Sequence, residues 1–246
     1  MLSLLVALAV TPPNPHALVD SAIVAMQRSA SLRQLRSLRL SGMQHDYLLG
    51  NAERAEGPWR VLYSQFTELR DPRTGSSRRA DQTIAPTGIK NPERITVFTD
   101  TVVAVRTASR ENGSSHAAYE DIVDRIDGSP ERALLLAAAA PDLRLDGSVS
   151  RYGITFDVVS HPWRNGRMTI ELNRDTHLPD AVEIVRAYPD NFRWDTFGSV
   201  AMRIDYVDWT VLKSGSYWPM QAKVSFNGQP LGDVTLAAFG LDTIAG

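Results

Sequence analysis

The chain contains no cysteine, and that absence removes disulfide staples, thiolate nucleophiles and every cysteine-ligated zinc or iron–sulfur site. An excess of either charge is also missing: 26 Lys and Arg stand against 28 Asp and Glu, for a formal net charge of -2. The basic residues are spread along the sequence rather than massed, so the counterion-release energetics of nucleic-acid binding are not expected. Apart from residues 2–10 there is no long apolar run, and that one falls short of the roughly 20 residues a membrane-spanning helix needs. Neither a nucleic-acid partner nor a transmembrane span is therefore expected.

Catalytic spacings are absent too. None of His16, His45, His116, His161 and His177 sits close enough in sequence to another to place two imidazoles on one metal, and neither His-x-His-x-Asp-His nor His-Glu-x-x-His occurs. Gly-x-Ser-x-Gly, Ser-x-x-Lys and the phosphate-cradling Gly-x-x-x-x-Gly-Lys are likewise missing. Asp157, Ser160 and His161 lie near one another, but neighbours on a strand point to opposite faces, so Ser160 and His161 are not expected to meet. Asp205 and Asp208 have an odd spacing that separates them in the same way, unlike a convergent catalytic pair. No metal, cofactor or catalytic residue is expected, and binding is favoured over chemistry for this chain alone.

What the sequence does contain is core material. Apolar residues make up 43% of its 246 residues and charged ones 22%, enough for a sizeable core without staples. At the amino end, residues 2–10 with Ala7 and Ala9 resemble the apolar region and cleavage site of an export signal, and Pro12, Pro13 and Pro15 suit an extended linker. Residues 1–15 are thus expected to be a signal remnant and linker, residues 16–246 a single domain, and the location periplasmic or secreted.

The domain reads as helix, strands, helices, strands. Ala17, Leu18, Ala22, Ile23, Ala25 and Met26 recur at helical spacing within residues 16–32. Alternation then takes over in Leu38 and Leu40 against Arg39 and Ser41, and in Trp59, Val61 and Tyr63 against Arg60 and Ser64. A turn at Asp71-Pro72 and Thr74-Gly75-Ser76 predicts a returning strand over residues 78–84, and β-branched residues predict a hairpin over 94–107. Helix formers fill residues 117–126 and 130–140, the second helix opening with Ser129 as N-cap and Pro130 in its first turn. After Asp146-Gly147 the strands resume, most clearly around the Asn165-Gly166 turn, with Met168, Ile170 and Leu172 on one face. Further strands are predicted over residues 181–188, 199–209, 217–227 and 231–239. No parallel βαβ rhythm appears, so an antiparallel sheet curved around the helices is expected.

Large apolar residues sit in or beside these strands. Trp59, Val61, Tyr63, Met168, Ile170, Leu172, Trp218 and Phe226 are the candidates for lining an apolar cavity between strands and helices. The stretch Leu32-Arg33-Gln34-Leu35-Arg36-Ser37-Leu38-Arg39-Leu40-Ser41-Gly42, with residues 17–41 around it, resembles the start of the amino-terminal region of bacterial metallo-β-lactamase-fold hydrolases. Residues 152–163 and 231–243 are similar to later parts of that region, which has the LolA-like architecture of lipoprotein carriers. Gln27-Arg28-Ser29-Ala30 stands where that family has Gly-Gly. The resemblance implies an α+β fold: a mainly antiparallel, strongly curved half-open β-barrel wrapped around an amino-terminal helix and two central helices. It also implies a lipid or other apolar small molecule as ligand. Relatives of this kind continue into a zinc-binding domain whose ligands no residue here matches. The alternative expectation is therefore an accessory part of such a hydrolase, partnered by a catalytic domain outside this chain.

Overall fold

The computed structural model describes residues 13–27, 32–48, 57–84, 87–99, 103–107, 110–113, 116–187 and 199–243. Most of the expected export segment lies outside the described residues. Three helices are described, α1 (Pro15–Met26), α2 (His116–Asp127) and α3 (Pro130–Ala139), with a short 3-10 turn at Leu32–Gln34. The first group of strands is β1 (Leu35–Leu48), β2 (Arg60–Arg70), β3 (Ser77–Ile84), β4 (Arg94–Phe98), β5 (Val103–Thr107) and β6 (Arg110–Gly113). After α3 come β7 (Arg144–Arg151), β8 (Ile154–Trp163), β9 (Gly166–Asn173), β10 (Pro179–Ala187), β11 (Ser199–Val211), β12 (Tyr217–Phe226) and β13 (Gln229–Thr243).

All the strands join one 13-stranded sheet in the order β6-β5-β4-β3-β2-β1-β13-β12-β11-β10-β9-β8-β7. The first six form a meander, the last seven form another, and the return of β13 onto β1, antiparallel, joins the two. This overturns the α+β class expected from the sequence, because strands dominate and the helical part is small, although the sheet is open as a half-barrel is. The fold is predominantly β, with three short helices against one face of a sheet that does not close. A barrel closes only when its edge strands hydrogen-bond to each other, and here the chain between edges β6 and β7 is taken up by α2 and α3.

The inner face is set by alternation. Leu38, Leu40, Gly42 and Gln44 of β1 stand opposite Leu241, Phe239, Leu236 and Val234 of β13. Across the other half, His161 and Val159 face Met168 and Ile170, which face Ile184 and Val182. Burying side chains of this size contributes roughly 1.5–3 kcal/mol each, and Met168, Ile170, Ile184 and Met202 are wholly buried. α1 packs against α3 and β12 and buries Val19, Ala22, Ile23 and Met26, a stripe at helical spacing. The Asn14 side chain caps α1 by accepting from His16 N–H. The helix is shorter than the sequence pattern suggests: it ends at Met26, and Gln27 is already extended. One glycine decides the central seam. Gly42 sits at a register shift between β1 and β13, where an added Cβ would lie 2.1 Å from the Thr235 carbonyl oxygen.

Candidate functional site

Charged side chains join the buried Val123, Ile126, Leu134 and Ala137 in fastening α2 and α3 to the inner face. Arg186 on β10 lies under α2 and donates from Nε at 3.0 Å to both carboxylate oxygens of Asp124, and from Nη2 at 2.8 Å to Oδ2. Both side chains are essentially inaccessible, at 3% and 0% exposure. The Trp163 ring covers the guanidinium from 5.4 Å. Farther along, Arg70 on β2 bridges Glu68 at 2.8 Å and Glu131 of α3 at 3.0 Å. Burial opposes the charge on Arg70, but the two carboxylates outweigh it and hold the guanidinium above its ordinary pKa. Arg132 ties α3 to the β2–β3 turn, binding Asp127 at 3.0 Å and the Pro72 carbonyl at 3.2 Å.

The expected N-cap of α3 is made differently. Ser129 has the extended backbone of a cap and Pro130 begins the helix, but the serine side chain makes no capping bond. Its hydroxyl lies 2.6 Å from the Ile126 carbonyl and 2.8 Å from Glu131 Oε1, both acceptors for its one proton. The Tyr206 hydroxyl of β11 donates to the Gly128 carbonyl between the helices. At Gly128 a Cβ would press within 2.8 Å of Ile204 Cδ1 and of the Asp124 carbonyl, so only glycine lets the α2–α3 turn sit this close to β11.

Beside this turn lies a cavity of about 130 Å³. Its apolar wall comes from Leu40, Phe66, Ile204, Trp218, Val224, Val234 and Leu236, and its polar end from Gln44, Glu68, Arg70, Arg79 and Glu131. Arg79 lies over the Phe66 ring at 4.1 Å and donates to Gln44 Oε1 at 2.6 Å. Glu131 is 1% exposed, and its buried Oε2 has no hydrogen-bond partner among the described residues. A buried acceptor in that state costs roughly 1–3 kcal/mol, so this end of the cavity favours a donor. Drug-sized pockets run to roughly 300–1,000 Å³, so the cavity in this conformation admits the end of one thin chain rather than a whole diacyl lipid.

The eight residues singled out from the sequence do not come together. Trp218 lines the cavity, packed against Phe239 at 4.4 Å between ring centroids. Met168, Ile170, Leu172 and Phe226 are buried within the packed core. Trp59, Val61 and Tyr63 belong to the other side of the sheet, because β2 turns Ser64, Phe66, Glu68 and Arg70 inward. There Tyr63 meets His45 edge-on at 4.8 Å and Trp59 meets Tyr47 at 6.1 Å. Tyr47 donates to Asp233 at 2.7 Å, and that bond above all raises its pKa to about 12. Glu68, Arg70 and Glu131 were not singled out; the Ser129-Pro130-Glu131 helix start marks the position of one of them but not its role.

The nearby titratable residues stay apart as their spacing requires. His161 is inside, opposite Met168, whereas Ser160 stands opposite Thr169 on the other face. Asp205 pairs with Arg203 at 2.7 Å, and Asp208 sits at a left-handed kink with φ 56°. Among the described residues no three His, Asp or Glu side chains gather as a metal site would require.

His161 carries a pH dependence. Burial lowers its pKa, only partly offset by the bond from its ring Nδ1 to the Pro162 carbonyl at 2.8 Å. The folded state therefore takes up this proton less readily than the unfolded chain, whose value is 6.5. The stability tied to neutral His161 is complete above that pH and is lost as pH falls below it. The urea midpoint is expected to drop between neutral and mildly acidic pH, and His161→Phe to flatten that dependence. An unchanged slope in the variant would show that the proton uptake lies elsewhere.

No family model and no curated protein matches this chain. Among solved structures, a domain assigned as an outer membrane lipoprotein-sorting protein from Vibrio parahaemolyticus is similar, with a TM-score of 0.57 over 95% of both chains at 8% identity. LprF from Mycobacterium bovis aligns over 94% of both chains at 11% identity with a TM-score of 0.34. The lipoprotein LppX from Mycobacterium tuberculosis aligns over 92% of this chain and 94% of its own at 8% identity, scoring 0.30. The Vibrio domain shows the fold, which is the LolA-like part of the resemblance, while the two mycobacterial scores are too low to bear on it. None of the three is described as a metallo-β-lactamase. No helix among the described residues is long and apolar enough to cross a membrane.

Proposed function

We propose that this domain binds an apolar chain of a lipid-like molecule outside the cytoplasm and performs no chemistry on it. The observation that carries the reading is the cavity between the inner face and the α2–α3 turn, walled by Leu40, Trp218, Val224 and Leu236 with a charged cluster at one end. Each methylene placed against that wall contributes about 0.8 kcal/mol. A few carbons therefore give measurable affinity, and the oxygen of Glu131 favours a head that donates a hydrogen bond. The lipoprotein-sorting assignment of the Vibrio domain agrees with such a ligand, as does the export-like amino terminus. No feature of the fold favours the accessory role beside a zinc hydrolase.

The test is to purify the protein and examine it by native mass spectrometry and solvent extraction, then titrate it with a dansyl-labelled undecanol. A co-purifying lipid, or blue-shifted dansyl emission displaced by unlabelled hexadecanol, whose hydroxyl can donate to Glu131, is the expected result. A protein that retains nothing and leaves the dansyl emission unchanged does not carry apolar chains.

A further inference from the structure

The outer face of the sheet divides into two halves that treat their arginines differently. Over β9 to β11, Arg203 binds Glu171 at 2.9 Å and Asp205 at 2.7 Å, and Arg151 reaches the same Glu171. Charge there is neutralised within the protein. On β1 and β3, Arg39 and Arg78 have no such partner among the described residues. The ladders bring Gly240, Arg39, Leu69, Arg78, Val97 and Ala104 into one lateral row, and Ala238, Ser41, Thr67, Ala80, Ile95 and Arg106 into the next. Arg39, Arg78 and Arg106 are exposed, and none has an ion pair to a described residue. The row of Arg39 and Arg78 contains no carboxylate; the second row ends with Glu111 opposite Arg106, and Asp242 stands one row from Arg39, opposite Ser37.

Arg39 and Arg78 stand two strands apart, about 10 Å at the usual strand spacing, with Leu69 between them. Gly240 and Ser41 keep the space beside Arg39 open, and a groove of about 460 Å³ runs there between the two arginines. The same face holds large apolar side chains in water: Met43 is 39% exposed, Tyr63 41%, Leu69 44% and Val97 40%. They are spread over three strands rather than gathered in a cleft. A broad surface that mixes unneutralised arginines with protruding apolar side chains matches the interfacial layer of an anionic bilayer, where cations meet phosphates and apolar groups enter the acyl boundary.

We infer that the outer face of β1 to β4 docks onto anionic phospholipid membranes, with Arg39 and Arg78 on headgroup phosphates and Leu69 and Val97 dipping between them. The inference does not rest on the cavity, which lies on the opposite face.

Sedimentation of the full chain with vesicles of phosphatidylcholine mixed with phosphatidylglycerol tests it. Wild type is expected to sediment with the mixed vesicles, weakly with phosphatidylcholine alone, and less as salt rises. Each arginine near such a surface is worth about fivefold in partitioning, so Arg39→Gln with Arg78→Gln should lose roughly 25-fold. Leu69→Ser should weaken binding with the salt dependence retained. Both sites are exposed, and circular dichroism checks that the variants fold. Ala222→Phe, which alters only the inner face, should sediment like wild type, so failure of the cavity reading and failure of this one remain distinguishable. If the double variant sediments like wild type, or phosphatidylcholine alone serves as well, or nothing sediments, the membrane is not the partner. In the last case an acidic protein surface takes its place.

Discussion

Asp124→Asn is expected to destabilise the protein by about 3–5 kcal/mol, the usual cost of removing one partner from a buried ion pair. The isosteric amide keeps the shape of α2 but removes the charge that neutralises Arg186, whose guanidinium is held between β10, α2 and the Trp163 ring. Because that guanidinium is 3% exposed, water cannot replace the lost carboxylate. In a domain of this size the loss corresponds to a fall in melting temperature of about 10 °C, read by thermal and urea denaturation. The companion experiment replaces both partners, Asp124→Leu with Arg186→Met. Removing a buried pair altogether is often neutral, so the double variant should recover most of the stability. If Asp124→Asn melts with wild type, α2 is held by its apolar contacts and the pair adds nothing.

Ala222→Phe is expected to cut binding of an apolar probe by more than tenfold while leaving a folded protein. Ala222 faces inward on β12 between Tyr206 and Val234 and lines the cavity. A phenyl ring there takes the space that two or more methylenes of a ligand would fill, at about 0.8 kcal/mol each. Forcing a ring into a packed interior itself costs about 1–3 kcal/mol, so binding is compared at matched fractions of folded protein. Thr235→Phe supplies the control: Thr235 is exposed on the outer face opposite Met43, and the same enlargement there should leave probe binding unchanged. Equal binding by Ala222→Phe and wild type would place the ligand elsewhere, and loss in both variants would point to a general defect.

The distribution of legible and illegible features follows the range of the forces involved. The start of α3 at Pro130, the turn at residues 164–165 and the strand order within each meander depend on residues close in the chain, and the sequence pattern locates them to within a few positions. The inward face of β2 does not yield to the same reasoning. Alternation offers two faces, and the more apolar beginning, Trp59, Val61 and Tyr63, argues for the one that turns out to lie outside. The inward set includes Glu68 and Arg70, which no hydrophobic pattern would bury. Their burial is tolerable only because Glu131, 61 positions away, completes the ion cluster.

Sequence by itself determined the antiparallel β character, the helical interruption between two groups of strands, the separation of Ser160 from His161 and the lack of any local catalytic motif. Each of these is a matter of periodicity, turn chemistry or spacing along the backbone. Only the tertiary structure decided that the cavity forms beside the α2–α3 turn rather than along Met168, Ile170 and Leu172, and that Arg39, Leu69 and Arg78 share a row. Those outcomes depend on β13 returning to β1 and on buried charges meeting across long stretches of chain. Such pairings are worth their desolvation only once both partners are in place, and no segment read alone contains both.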